Sequence, residues 1–235
     1  MKFLSHYSSS SGNLYTVTAE NGARLLIEAG VPWAKLEGAL EYDLTGIEAC
    51  LLSHEHKDHS HAIRSVMGAG IDVYASEETF TTLCLERNRR ALWVKDETLI
   101  TCLDSFTILC FQVTHDVPCL GFVVFERATK EYLLFVTDYH ALEQRFNFPF
   151  SIIAMACNFD GNVLQDNVDH GGLHEEVGKR IVGSHSSAEE VKLYLRDFCD
   201  VSRCRNIYLL HASAANLDRE AARREIEEEF LIETE

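Results

Sequence analysis

The sequence predicts a mixed α/β chain with hairpins and crossovers in each half. Three observations carry that expectation. Short apolar runs of strand composition recur at residues 49–52, 106–113, 121–127, 131–136, 151–157 and 206–210. Helical patterns at 61–67, 188–198 and 218–230 separate or follow them. Asn21-Gly22, whose residues both tolerate positive φ, lies between two short alternating runs and reads as a hairpin turn.

Taken in order, Ser8 to Ser11 with Gly12 and Asn13 has loop composition. Residues 14–19 alternate as a strand, and 24–28 return as its hairpin partner. Pro32 is well placed to open a short helix over 33–40, because its missing N–H is not needed there. The apolar run 49–52 is a buried strand that ends at Ser53-His54, and a helix follows over 61–67. Residues 71–75 form another strand, and Ser76 caps a helix running towards Cys84. The middle of the chain is β again, helices return late with the strand 206–210 between them, and the acidic tail 225–235 is expected to be a solvated helix face that frays at its end.

Composition bounds the function. The 235 residues can bury a sizeable core, and without a Pro- or Gly-rich linker they read as one domain over 1–235. Lys and Arg number 21 against 37 Asp and Glu, a net charge of −16 that repels polyanions. Passive nucleic-acid binding through a broad basic surface is therefore excluded, while a nuclease with local phosphate contacts is not. The 8 Cys show no CxxC spacing and sit mostly in apolar stretches, as buried thiols of a reducing compartment do. The first residues lack the apolar core of a signal peptide, and no run approaches the roughly 18 apolar residues of a membrane span. These features point to a cytoplasmic protein with no membrane partner. Its oligomeric state is not encoded in any pattern found.

The sharpest feature is SHEHKDHSH at 53–61, directly after the buried strand. Imidazoles at i and i+2 of an extended chain point the same way, so His54 and His56 can grip one ion. Asp58 and His59 begin the next turn and can face a second. So many titratable groups are costly to bury unless paired or bound to metal, and imidazole with carboxylate suits zinc, manganese or iron.

The HxHxDH pattern closely resembles the signature of the metallo-β-lactamase superfamily. The rest of that family's pattern follows in order, each residue ending an apolar run: His115 after FQVT, Asp138 after LLFVT and His211 after IYLL. The resemblance covers nearly the whole chain. It implies a four-layer αβ/βα sandwich with two mixed β-sheets and two divalent metal ions, zinc or manganese with iron also acceptable. Carried over residue by residue, His54, His56 and His115 hold the first ion, Asp58, His59 and His211 hold the second, and Asp138 bridges them. A bridging hydroxide would then be the nucleophile.

The opening SSSSGN and the later LLIEAG look like SSGN and LLIDAG of the YycJ/WalJ-like branch, regarded as DNA exonucleases. Ser184-His185-Ser186-Ser187 is similar to the HST-type motif of the ribonuclease Z-like phosphodiesterases, where the His helps protonate the leaving oxygen. The resemblance thus implies a dinuclear phosphodiesterase or nuclease whose turnover depends on Asp58 and His185, with DNA or RNA as first-choice substrate. A plain helix-capping role for the SHSS loop is the competing reading of His185. CNFDGN at 157–162 resembles the SNYD segment of the same branch, with no role assigned to Asn158. Two stretches depart from the branch: Glu28 stands where Asp is usual, and 162–176 does not follow its pattern, with Gly171-Gly172 arguing for a loop there. Arg87, Arg89 and Arg90 beside Trp93 read either as a base-stacking patch or as a solvated helix end. A thioester, lactone or β-lactam hydrolase on the same metal core stays open, as does a metal-binding module without activity.

Overall fold

The computed structural model describes residues 1–235. Two compact units emerge, one of residues 1–112 and 117–131, the other of 113–116 and 132–235. The strands divide between a six-stranded and a seven-stranded sheet, so the α/β class with two sheets of mixed strand direction is the one observed.

In the first unit, β1 (Lys2–Ser9), β2 (Gly12–Thr18) and β3 (Arg24–Ile27) form an antiparallel meander. The Asn21-Gly22 turn joins β2 to β3 as expected, with Gly22 at φ +87° and Asn21 Oδ1 accepting from the Ala23 amide at 3.0 Å. The chain then alternates through α1 (Trp33–Ala39), β4 (Ile47–Leu51), α2 (Lys57–Ser60), α3 (Ile63–Gly68), β5 (Val73–Ala75), α4 (Glu77–Thr82) and β6 (Ala91–Trp93). Strands β3 to β6 run parallel, giving the order β1-β2-β3-β4-β5-β6. Pro32 precedes α1 and Ser76 caps α4, its hydroxyl accepting from the Thr79 amide. Leu14, Leu26, Leu36, Cys50, Leu52, Val66, Val73 and Phe80 pack one core of this unit. Each large aliphatic side chain withdrawn from water there contributes about 1.5–3 kcal/mol. β7 (Leu99–Ile100) pairs antiparallel with β8 (Phe106–Val113), and β9 (Cys119–Glu126) follows.

The second unit is built on the parallel strands β10 (Tyr132–Val136), β11 (Ile152–Ala156), β12 (Asn206–Leu210) and β13 (Glu233–Thr234), adjacent in that order. β11 is buried at every residue, as a strand covered on both faces must be. Between the strands run α5 (Gly161–Asp169), α6 (Glu175–Ser184), α7 (Ala188–Asp197) and α8 (Arg219–Phe230). α7 buries Val191, Tyr194 and Leu195 and carries a full capping box between Ser187 and Glu190.

The structure differs from the sequence reading at four places. The Ser-rich start is only in part a loop: Ser8 and Ser9 end β1, paired with Asn13 and Gly12 of β2, and Ser10-Ser11 form the turn between the strands. Residues 162–176 hold most of α5 and the start of α6, capped by Asp160 and His174, on either side of the loop at 170–174 that Gly171-Gly172 announced. The tail does not fray, because Leu231 turns at φ +57° and the chain returns as β13 beside β12. β6 and β7 are short strands that carry too few residues to show a period. None of the eight Cys forms a disulfide. No helix is long and apolar enough to cross a membrane.

Candidate metal centre

The candidate ligands fall in two sets, one in each unit. In the first unit, β4 ends at Leu51, and Leu52, Ser53 and His54 continue it, fully buried, towards the start of α2. His54 Nδ1 shares a hydrogen bond with the Ser53 hydroxyl at 2.8 Å, and Cys119 Sγ lies 3.6 Å from the same nitrogen. Nε2 is thereby left for metal ligation. The His56 ring stands edge-on to His54 with centroids 4.7 Å apart, and the two offer ligand atoms within 4.8 Å of one another. Asp58 and His59 lie in α2, Asp58 Oδ2 being 3.3 Å from His59 Nε2.

What holds this loop is the pair of segments read as SSSSGN and LLIEAG. Asn13 Nδ2 donates to the Asp58 carbonyl and reaches His59 Nε2, both at 3.1 Å. The Ala29 amide donates to the His59 carbonyl, and the Gly30 amide to the Asn13 carbonyl. Gly30 is required by close approach: a Cβ there would lie 1.6 Å from the Asp58 carbonyl oxygen. Gly12 has φ +155° and faces Gly30, whose carbonyl oxygen would lie 2.8 Å from a Cβ at Gly12. Glu28 is fully buried at φ +64°. Its Oε1 is 3.5 Å from His59 Nδ1, and its Oε2 accepts from the Ser53 amide at 3.4 Å. The longer carboxylate therefore still reaches the metal loop, at both of its ends.

In the second unit the donors sit at strand ends. His115 follows β8, Asp138 follows β10 and His211 follows β12; for the parallel strands β10 and β12 this is the C-terminal side where sites form. Asp138 and His211 adopt φ +43° and +53°, a left-handed conformation that bulky residues rarely take. Such turns cost about 1–3 kcal/mol each and cluster at functional sites. His115 Nδ1 donates to the Ser184 carbonyl at 3.0 Å, which leaves Nε2 as the ligand nitrogen; Asp116 Oδ1 lies 2.9 Å from it. Burial holds the His115 pKa below the ordinary imidazole value, although Asp138 and Asp116 oppose that shift. The neutral ring is the form that binds metal. Asp138 Oδ1 has His211 Nδ1 at 3.5 Å and His185 Nδ1 at 3.6 Å. The His185 ring stands 5.9 Å from His115 and 6.0 Å from His211, centroid to centroid. His185 is thus packed among the candidate ligands of its unit, while Ser187 caps α7. The helix cap that the SHSS segment offered is supplied by Ser187, with His185 left to the candidate ligands.

Asn158 is the residue whose part the sequence left open. Its Nδ2 donates to the His211 carbonyl and is 3.0 Å from His211 Nδ1. Its Oδ1 accepts from the Ser186 amide and hydroxyl. One buried amide therefore ties the His211 turn to the His185 loop. Three of the other His residues have partners away from these sets. His170 donates from Nδ1 to the Asp166 carbonyl, and His174 accepts at Nδ1 from the Glu176 amide to cap α6. His6 bonds Thr16 on β2. Arg90 pairs with Asp72 at 2.7 Å, and exposed Trp93 carries Lys95 Nζ 5.4 Å above its ring.

The donor chemistry fits divalent metal. Each set offers buried or half-buried imidazole nitrogen and carboxylate oxygen, the donors that zinc, manganese and iron share. Contacts of Ser53, Glu28, Ser184 and Asn158 orient the rings in the manner of outer hydrogen-bond partners at metal sites.

No protein-family model matches the chain. It is 26% identical over 92% of its length to exodeoxyribonuclease WalJ of Streptococcus pneumoniae, covering 82% of that protein. It is 25% identical over 93% of its length to exodeoxyribonuclease YycJ of Bacillus anthracis, covering 85% of that one. Among solved structures it superposes on the metallo-β-lactamase-fold protein YhfI of Bacillus subtilis with a TM-score of 0.70 at 16% identity, covering 99% of this chain and 94% of that one. Zinc-bound PqqB of Methylobacterium extorquens gives 0.67 at 11% identity, over 92% of this chain and 82% of that one. The strand order, the ligand-bearing strand ends and these likenesses agree: this chain has the metallo-β-lactamase fold, on a sequence similar to the WalJ and YycJ proteins along nearly all of its length.

Proposed function

We propose that the chain is a metal-dependent phosphodiesterase of the nuclease type, acting as one domain over residues 1–235 with a dinuclear site. His54, His56 and His115 would hold one ion, Asp58, His59 and His211 the other, with Asp138 between them. Divalent ions bound there would neutralise phosphoryl charge and lower the pKa of a coordinated water towards about 7. The donor set accepts zinc, manganese or iron, and availability selects among them. DNA is the first substrate to test, because the named relatives are exodeoxyribonucleases, with RNA second.

The observation that carries the reading is His185 beside Asp138, with Nδ1 and Oδ1 3.6 Å apart. Phosphodiester cleavage expels an alkoxide, which needs a proton at the moment the bond breaks. His185 is partly exposed while Asp138 is buried, so the imidazole can meet a substrate while the carboxylate orients it. Ser184, Ser186 and Asn158 fix the loop that carries it. A thiolate leaves without a proton, so thioester hydrolysis places no such demand on this residue. Cys50, Cys110 and Cys157 are buried thiols, with burial raising the pKa of Cys110 and Cys157 to about 12; they suit a reducing compartment, and we place the enzyme in the cytoplasm.

The test is His185→Ala assayed on a chromogenic phosphodiester with metal content measured in parallel. Loss of a general acid lowers kcat about 10²–10⁴-fold with metal content unchanged. An unchanged kcat on the phosphodiester, or turnover of a thioester or lactam instead, would overturn the assignment.

A further inference from the structure

Beside the metal loop, the first unit carries a groove of about 600 Å³ lined by Glu55, Lys57, Ser60, His61, Ile63, Arg64 and residues 82–85. One wall is the helical stretch of α2 and α3, and the other is the end of α4 with the turn that follows it. Lys57, His61 and Arg64 stand at i, i+4 and i+7, so the nearly continuous stretch presents them on one face. All three are exposed, and none has a carboxylate partner, in a chain where acids outnumber Lys and Arg by 37 to 21. The one acid lining the groove, Glu55, accepts from the Thr79 hydroxyl through Oε2 at 3.4 Å. Arg64 donates one Nη2–H to the Leu83 carbonyl across the groove. That bond holds the guanidinium in place and leaves its other donors for a ligand. Lys57 lies between His56 and Asp58 in sequence, so the cationic face begins at the metal loop itself.

We propose that this groove binds the backbone phosphates of a nucleic-acid strand, the step that positions a polymer rather than a small diester. The inference rests on the phosphodiesterase reading and names where its substrate extends. From Lys57 to Arg64 the helical rise spans about 10 Å, or about three nucleotide steps at 3.4 Å per strand step. Local cations of this kind reconcile polyanion binding with a net charge of −16.

The experiment uses the full-length, metal-loaded protein and a fluorescent phosphorothioate oligothymidine that resists cleavage. Binding is followed by anisotropy across a potassium chloride series for the parent, Arg64→Gln, Lys57→Gln/Arg64→Gln and the charge-matched control Lys35→Gln. Each charge removed from a single-strand site lowers the salt slope by about 0.7. The double variant should lose about 1.4 from the slope and bind about tenfold more weakly at 0.15 M salt, taking 1 M as the point where screening erases the difference. Arg64→Gln, which lies outside the ligand loop, should lose about half of that slope. Its kcat/KM on oligothymidine should fall relative to its kcat/KM on a chromogenic diester. Slopes equal to that of Lys35→Gln in both variants, with oligonucleotide turnover intact, would overturn the groove. The predicted slopes in a protein that cleaves no phosphodiester would keep the groove and overturn the enzymatic reading.

Discussion

Asn158→Ala is the perturbation whose consequence the structure sets most fully. The side chain is buried, and its amide serves two backbone groups, donating to the His211 carbonyl at 3.0 Å and accepting from the Ser186 amide at 3.2 Å. Truncation removes both bonds in a buried place. A buried polar group stripped of its hydrogen bond costs about 1–3 kcal/mol. The Ser186 hydroxyl keeps its bond to the Ala156 carbonyl, and the Asn158 amide keeps Ser186 as acceptor, so the loop is loosened rather than released. The expected destabilisation is about 3 kcal/mol. In a chain of this size that corresponds to a fall in Tm of about 6–12 °C. Because the same amide touches His211 Nδ1, metal affinity should also fall about 10–100-fold. Thermal unfolding by circular dichroism and a chelator-competition titration read the two effects. A variant that melts within about 1 °C of the parent and keeps its metal affinity would show that Asn158 does not brace the site.

Three further outcomes follow from other contacts. Glu28→Ala removes the carboxylate that faces His59 Nδ1 and the Ser53 amide; metal affinity should drop about 10–100-fold, and a chelator titration unchanged from the parent would refute the link. Gly30→Ala places a Cβ against the Asp58 carbonyl oxygen, which forces the backbone apart and should cost at least the about 1–3 kcal/mol typical of overpacking; a Tm equal to the parent's would contradict the packing described. Burial holds both His6 and His115 below the ordinary imidazole pKa, so below about pH 6.5 the unfolded chain takes up protons that the folded chain does not. Metal-free stability should therefore be fully present above that pH and decline as pH falls, and His6→Gln should make the decline shallower in urea unfolding at pH 7.5 and 5.5.

The candidate ligands were legible because their chemistry is concentrated. HxHxDH is dense, and His115, Asp138 and His211 each close an apolar run that could only be a buried strand. The elements around them were legible for the same reason, since β4, β8, β10, β11 and β12 are short apolar runs with few competing readings. What supports the ligands was not legible. Glu28 and Asp138 act from left-handed backbone, a conformation no residue preference announces for Glu. Asn158 contacts residues 28 and 53 positions away, beyond any local pattern. β1 was hidden by its serines, which mimic loop composition while their backbone pairs with β2. The caps of α5 and α6 were masked by the glycine pair between them, and β13 by acidic residues that read equally well as a helix end. For Asn158, β1 and β13 the deciding partner lay elsewhere in the chain, and for the two strands pairing outweighed propensity.

Metal-dependent phosphodiester hydrolysis, supported by the two donor sets, is the proposed activity. Its most direct test is to strip the protein of metal, reload it separately with zinc and with manganese, count bound ions, and assay an activated phosphodiester beside a thioester and a β-lactam, with Asp58→Ala in parallel. The expected result is two ions per chain and phosphodiester turnover that requires them and is lost in Asp58→Ala while the fold survives. Undiminished turnover in Asp58→Ala, or hydrolysis confined to the thioester or lactam wells, would contradict it.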